Sequence, residues 1–290
     1  MLNINKRKAA KLFDKAKKAN DDITAEKLYK KSLEFDNTRA DTWYNLGLLY
    51  KYQNKWQESF EANLQSHNLD PEDEAACWNL GIAATGLKDW KYARQAWKDY
   101  GIDLNDGEGE IEMDFGMTPI RLKNSEVVWC RRIDPARAAI RNIPLADSIN
   151  DYDDIILHDG APNGERIYEG KTYDVFDELE MWKKSDYKTY KITISTNGIS
   201  DYTELEKIAY KYTNIEIEDW TKSVRYLCKK CSEGTPHEDH YHDNNNDEWQ
   251  AVREVAITCL KEEIIDEILN EWSLSKDSIR EIIQKEKIKR

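Results

Sequence analysis

A pattern of 34 residues recurs three times at the start of the chain, over residues 6–39, 40–73 and 74–107. The Leu46-Gly47 pair of the second copy returns as Leu80-Gly81 in the third. A second set of positions also aligns across the copies, with members Ala25, Ser59 and Ala93, then Tyr29, Asn63 and Trp97, then Ser32, Ser66 and Tyr100. Self-similarity at a fixed period indicates a stacked repeat architecture.

Together with Pro71, which closes the middle copy, these residues resemble the tetratricopeptide repeat (TPR). The resemblance covers residues 1–107, about the first third of the chain, and implies helix-turn-helix units that stack into a curved solenoid. The first copy departs from the pattern, because Leu12-Phe13 stands where the others have Leu-Gly. Terminal repeats are commonly atypical.

The resemblance further implies a concave groove lined by the first helix of each repeat. It assigns to that groove Tyr44, Asn45, Leu48, Lys51 and Tyr52 of one copy, and Trp78, Asn79, Ile82 and Thr85 of the next. The two asparagines would hold the backbone of an extended peptide, with Tyr44 and Trp78 as flat anchors. The basic clamp that some members use for chaperone tails is not matched here. An equal alternative is that these aromatic residues pack against the rest of the chain, folded back into the groove.

The charge of the chain favours some partners over others. The net charge is −13, but residues 1–39 hold 11 basic and 6 acidic side chains, a net +5. The acidic balance disfavours binding of nucleic acid and predicts a protein or peptide partner. A more specific hypothesis is that this protein is an immunity-type inhibitor that covers a basic toxin. The plainer interpretation of the charge is solubility alone. No apolar run is long enough to span a membrane and the cysteines suggest no disulfide framework, so we expect a cytoplasmic protein.

Beyond the repeats, we expect a linker over residues 108–125, a β-rich α+β domain over 126–246 and helices over 247–290 that pack on it. The fold class is therefore predicted to be α+β. Strands are predicted from residues 126, 154, 166, 173, 190 and 215, with a helix from Tyr202 to Tyr212 and a short helix or turn from Pro135 to Asn142. Apolar residues at spacings of three and four from Trp249 to Trp272 indicate an amphipathic helix, and Lys276 to Lys289 a last one. Residues 126–242 also loosely resemble segments fused to such repeats in uncharacterised bacterial proteins.

Residues 228–242 contain three of the five histidines and two of the five cysteines. Two thiolates two residues apart, followed by imidazoles, can hold one zinc ion in a tetrahedron. We predict a structural zinc site of Cys228, Cys231, His237 and His242, with His240 an open alternative for the last ligand. The alternatives are a polar loop without metal, or a three-ligand zinc-dependent enzyme with Glu233 or Glu238 as general base.

Other candidate catalytic groups are weak. His158 and Asp159 are adjacent, and neighbouring residues of a strand point to opposite faces, so a turn entered through His158 is expected. The carboxylates from Asp177 to Trp182 are interpreted as the start of a helix. There is no phosphate-binding glycine loop, no Gly-x-Ser-x-Gly elbow and no zincin motif. The sequence thus predicts a non-enzymatic interaction protein.

Overall fold

The computed structural model describes residues 2–223, 249–274 and 280–290. The chain divides into two compact units, one of Met1–Phe115 with Ile133–Ala136, the other of Gly116–Arg132 with Arg137–Arg290. Within the described ranges, no helix combines the length and the apolar character needed to cross a membrane.

The first unit contains six helices that form three antiparallel hairpins. They are α1 (Leu2–Ala16), α2 (Asp22–Phe35), α3 (Ala40–Tyr52), α4 (Trp56–Leu69), α5 (Glu74–Gly86) and α6 (Trp90–Asp99). Aspartates begin α2, α5 and α6, since the side chains of Asp21, Asp73 and Asp89 accept hydrogen bonds from backbone N–H groups of the first turn. The predicted TPR-like solenoid is confirmed by these hairpins.

The Leu-Gly pairs mark places where two helices of a hairpin nearly touch. A Cβ added at Gly47 would lie 2.5 Å from the Nδ2 atom of Asn63, and one at Gly81 would lie 2.6 Å from the ring of Trp97. Asn63 and Trp97 occupy equivalent positions of their repeats, so the same close approach occurs twice. In the first hairpin Phe13 replaces the glycine and its ring contacts Tyr29 instead, with centroids 6.0 Å apart.

The segment after α6, predicted as a flexible acidic linker, is held by Arg94. The guanidinium donates hydrogen bonds to the carbonyl oxygens of Asn105 (2.8 Å), Gly109 (2.8 Å) and Glu110 (3.2 Å). Leu104 and Ile111 of the same segment are buried. The predicted linker of residues 108–125 also overlaps a strand, because Met117–Arg121 forms β1.

The second unit begins with a closed five-stranded barrel. Its strands are β1 (Met117–Arg121), β2 (Val127–Arg132), β3 (Arg137–Ile140), β4 (Ile155–His158) and β7 (Phe176–Lys183), in that order. Neighbours are antiparallel except β1 and β7, which are parallel. Closing an up-and-down sheet of five strands requires one parallel pair, because the first and fifth strands run in the same direction. The barrel core is apolar and includes Ile120, Val128, Cys130, Ile140 and Ile156.

A small hairpin, β5 (Glu165–Tyr168) and β6 (Lys171–Asp174), precedes β7. Its two turn residues have positive φ, 49° at Glu169 and 74° at Gly170. Both signs are those of a type I′ turn, which matches the twist of a two-residue hairpin.

The rest of the second unit is a β-α-β-β-α-β arrangement. It consists of β8 (Lys188–Thr196), α7 (Ile199–Ala209), β9 (Ile215–Asp219), α8 (Trp220–Ser223), β10 (Val252–Cys259), α9 (Glu263–Ser273) and β11 (Arg280–Lys287). The strand order is β11-β8-β10-β9 and every pair is antiparallel, a ferredoxin-like topology. The apolar faces of α7 and α9 and one face of the sheet share a core. The predicted α+β class is confirmed.

Buried contacts join the barrel to this sheet within the second unit. The indole of Trp220 donates to the carbonyl of Ile143 (3.1 Å), and both belong to one apolar cluster with Tyr152 and Ala256. The carboxylate of Glu218 accepts from the backbone N–H of Ile143 (3.1 Å). These contacts fix the loop after β3 against β9 and β10.

Three predicted elements were wrong, and a fourth, the helix from Trp249 to Trp272, was correct only in its second half. Residues 135–142 contain strand β3, not a helix or turn, and residues 177–182 belong to strand β7, not to a helix. Of the helices predicted over residues 247–290, only α9 is present in the described part, and it is flanked by strands β10 and β11.

Candidate interaction surface

The predicted groove residues of the second repeat lie on one face of α3. Tyr44, Leu48 and Tyr52 are spaced by four residues and therefore form a stripe along the helix. Tyr44 and Leu48 are half-buried, and Tyr52 is 58% exposed. The opposite face of α3 packs in the solenoid through Thr42, Leu46, Gly47 and Tyr50. Asn45, beside the stripe, is half-buried and its amide donates to the carbonyl of Asp41 (2.7 Å).

Lys51 does not line an open surface. Its side chain is buried, and its Nζ atom donates to the Oδ1 atom of Asn79 (3.0 Å) and lies 4.7 Å from the centre of the Tyr52 ring. This hydrogen bond connects the second and third repeats. A charged group bonded in this way is expected to order the repeats rather than to await a ligand.

The groove residues of the third repeat are covered. Ile82 and Thr85 are 0% exposed, and Asn79 is 5% exposed. Trp78 packs edge-on against Trp97 and Tyr100, with ring centroids 5.0 and 4.7 Å apart. The predicted set therefore divides into a surface stripe on α3 and a buried group on α5.

The surface of the first hairpin is distinctive, although none of its residues was predicted to bind a partner. Two open clefts of about 580 and 540 Å³ lie on it. The second is lined by Ile23, Glu26, Lys27, Lys30, Lys31 and Glu34. The excess of basic residues in positions 1–39 was the signal that could have drawn attention to this hairpin.

The predicted zinc ligands lie outside the described residues; they are Cys228, Cys231, His237 and His242, with His240 as the alternative. Among the residues that are described, no three His, Cys, Asp or Glu side chains are grouped as metal ligands. The zinc site remains a prediction.

His158 is fully buried at the end of β4. Its Nδ1 atom lies 2.7 Å from the carbonyl oxygen of Asp159, whereas the Asp159 carboxylate accepts from the N–H of Gly160 (2.7 Å) and Ala161 (3.2 Å). Burial, with a contribution from the nearby Arg132 charge, lowers the pKa of His158 to about 4. The imidazole is therefore neutral at pH 7, and the contacts of Asp159 with the two N–H groups are those of a turn.

No protein-family model and no curated protein matches the chain. Among solved structures, the second TPR domain of Spaghetti (RPAP3) bound to the HSP90 peptide SRMEEVD is 23% identical over 33% of this chain and 92% of that one, with a TM-score of 0.31. The first TPR domain of the same protein, also with that peptide, is 18% identical over 33% and 78%, with a TM-score of 0.31. The Arabidopsis OM64 TPR domain is 16% identical over 34% and 78%, with a TM-score of 0.28. Our assignment of the solenoid rests on the hairpins and glycine contacts described above.

Proposed function

We propose that the chain is a non-enzymatic protein-interaction module, and that an extended segment of a partner binds along the surface stripe of α3. The observation that carries the proposal is the row Tyr44, Leu48 and Tyr52, which presents apolar and aromatic surface on the face of α3 opposite its packed side. Flat aromatic side chains supply large contact area at a small cost in conformational entropy.

The buried positions on α5 narrow the proposed site. Because Asn79 and Ile82 are covered, a peptide would make its contacts mainly with the second repeat, through Tyr44, Asn45, Leu48 and Tyr52. Lys51 and Trp78 would support this surface from beneath, the first through Asn79 and the second through Trp97.

The test is to recover the partner from extracts of the cells that make the protein and to compare two matched variants. Leu48→Asp places a charge in the proposed site and is expected to abolish recovery. Leu69→Asp, on the 42% exposed last residue of α4, is the control and is expected to leave recovery unchanged. Equal recovery with both variants would place the site elsewhere.

A second candidate function is that of an immunity-type inhibitor that covers a basic partner. The outer face of α9 favours it. Glu263, Asp266, Glu267 and Glu271 are exposed there, and the helix itself contains no basic residue. Asp266 pairs with Lys285 (2.7 Å) and Glu271 with Lys211, whereas no ion pair joins Glu263 or Glu267 to a described residue. Such binding would weaken strongly between low and physiological ionic strength. Binding that is insensitive to salt would argue against it.

The zinc-dependent enzyme, our remaining alternative, rests on the sequence of residues 228–242 alone. Elemental analysis of untagged protein beside Cys228→Ser and Cys231→Ser tests the zinc site. About one zinc per chain, lost in both variants together with thermal stability, would support a closed structural site. Zinc that retains a bound water, seen by X-ray absorption, would instead favour the enzyme. We also propose a cytoplasmic location, supported by Cys77, Cys130 and Cys259, which are free thiols.

A further inference from the structure

The first hairpin carries a stripe of lysines on each helix. Lys8, Lys11 and Lys15 of α1 are spaced by three and four residues, and Lys27 and Lys31 of α2 by four, so each set shares one face of its helix. All five side chains are exposed.

The two stripes lie on the packed helices of one hairpin. In α2 the hydrogen bond from the Tyr50 hydroxyl to Glu26 (3.0 Å) marks the side toward α3. Lys27 and Lys31 lie further round the helix, and they line one cleft together with Glu26 and Glu34. In α1, Lys8 and Lys15 are next to the buried Ala9 and Ala16, and the carbonyl of Ala9 accepts a hydrogen bond from the Ser32 hydroxyl of α2 (2.8 Å). The ammonium of Lys8 reaches α2 and lies 5.3 Å from the centre of the Phe35 ring. We call this surface, formed by Lys8, Lys11, Lys15, Lys27 and Lys31, the basic end face.

The end face places several like charges close together. Lys11 and Lys15, like Lys27 and Lys31, are like charges at i and i+4, which repel each other on a helix. Lys11, Lys15, Lys27 and Lys31 form no ion pair with any described residue. Lys30, by contrast, is paired with Glu26 at 2.6 Å. An anionic partner would relieve this repulsion.

The charge of the remaining chain selects among anionic partners. With a net charge of −13 overall and +5 over residues 1–39, residues 40–290 carry −18. DNA carries one negative charge per ~1.7 Å, so the acidic remainder of the chain repels a long duplex more strongly than it repels a short acidic segment. A short acidic segment can contact the end face alone.

We propose that the basic end face is a second docking surface, which binds a short acidic segment of a protein partner. The surface is distinct from the stripe on α3, and the inference does not depend on the function proposed for that stripe.

The test uses a fluorescent all-glutamate peptide long enough to span the face, and measures its binding to the full chain by anisotropy at low and physiological ionic strength. Lys11, Lys15, Lys27 and Lys31 are replaced together by Glu in one variant and by Gln in another. A control replaces Lys91, Lys98, Lys123 and Lys171 by Glu, the same change in net charge at exposed positions elsewhere. Circular dichroism establishes which variants are folded. If the Glu variant is unfolded, the affinity of the Gln variant is compared with that of the natural chain instead.

We expect the peptide to bind the natural chain, more weakly at higher salt. Its affinity should fall by about tenfold or more in the end-face variants and by less than about twofold in the control. The inference is overturned if the natural chain shows no binding at low salt, or if end-face and control variants lose affinity alike. It is equally overturned if labelled duplex DNA binds more tightly than the peptide.

Discussion

At the scale of single residues, the solenoid depends on two glycines that lie against fully buried side chains. Gly47 lies against the amide of Asn63, which donates to the carbonyl (2.8 Å) and hydroxyl (3.2 Å) oxygens of Ser59, and Gly81 lies against the rigid ring of Trp97. The recurrence of Leu-Gly in the sequence predicted the hairpins. It could not show which atoms enforce the glycine, because those atoms belong to the other helix.

Gly81→Ala is expected to destabilise the first unit by about 2 kcal/mol, because overpacking outweighs the ~1 kcal/mol that alanine gains in a helix. Gly47→Ala should also destabilise it, since displacing the Asn63 amide would break its hydrogen bonds to Ser59. Urea denaturation measures both. In a protein that already carries Trp97→Leu, adding Gly81→Ala should lower the free energy of unfolding only slightly further. A Gly81→Ala protein more stable than the natural one would contradict the account.

His158 predicts a dependence of stability on pH. Its pKa of about 4 in the folded chain lies below the ordinary value of 6.5. Between pH 4 and pH 6.5 the imidazole is therefore mostly protonated in the unfolded chain and mostly neutral in the folded chain. The free energy of unfolding should therefore fall as the pH falls through this window. Burial raises the pKa of Glu126 and Glu218, and their contributions have the opposite sign. Denaturation of His158→Gln at pH 7 and pH 5 should show a smaller loss than the natural chain shows. An equal loss would exclude His158 as its source.

At the scale of elements, the sequence predicted correctly two elements that bury one face. The strand from Tyr190 and the helix from Tyr202 alternate between core and solvent with clear periods, and both predictions were correct. β10 was predicted as helix because Val255 to Cys259 are all buried, and a strand covered on both faces has no period of two.

The predictions for β7 and β11 were wrong for a different reason, because the charged residues of both strands are arranged as is common in helices. In β7 the carboxylates serve neighbouring strands: Asp177 pairs with Arg121 of β1 at 2.8 Å, and Glu178 accepts from the N–H of Lys123 at 2.9 Å. β11 is an edge strand, where lysine and glutamate discourage pairing with other chains. Such roles depend on strands distant in sequence and cannot be read locally. The burial of Asn79 and Ile82 is likewise a tertiary property that the sequence does not show locally.

The segment after α6 gives a prediction at this scale. Removing the Arg94 side chain deletes its hydrogen bonds to Asn105, Gly109 and Glu110 and should release the segment. Arg94→Ala is expected to be cut faster than the natural chain by a glutamate-specific protease after Glu108 or Glu110, under conditions where the fold persists. Lys98→Ala, a change at an exposed residue of the same helix, is the control. Equal cleavage of all three proteins would show that Arg94 does not hold the segment.

At the scale of the whole molecule, a TPR-like solenoid and a unit built from a barrel and a ferredoxin-like sheet are combined with an uneven charge. The three proposed surfaces differ in chemistry: an apolar and aromatic stripe on α3, a basic end face on the first hairpin and an acidic face on α9. A chain with several such surfaces can bind partners of different chemistry. This arrangement is what we expect of the proposed scaffold.

The most direct test of the central claim is photo-crosslinking in the cells that make the protein. A photoreactive amino acid is placed at Leu48, in the proposed site on α3, or at Leu69, outside it, and the crosslinked products are identified by mass spectrometry. We predict a discrete partner captured from position 48 and absent from position 69. The same products from both positions, or none from position 48, would contradict an interaction site on α3.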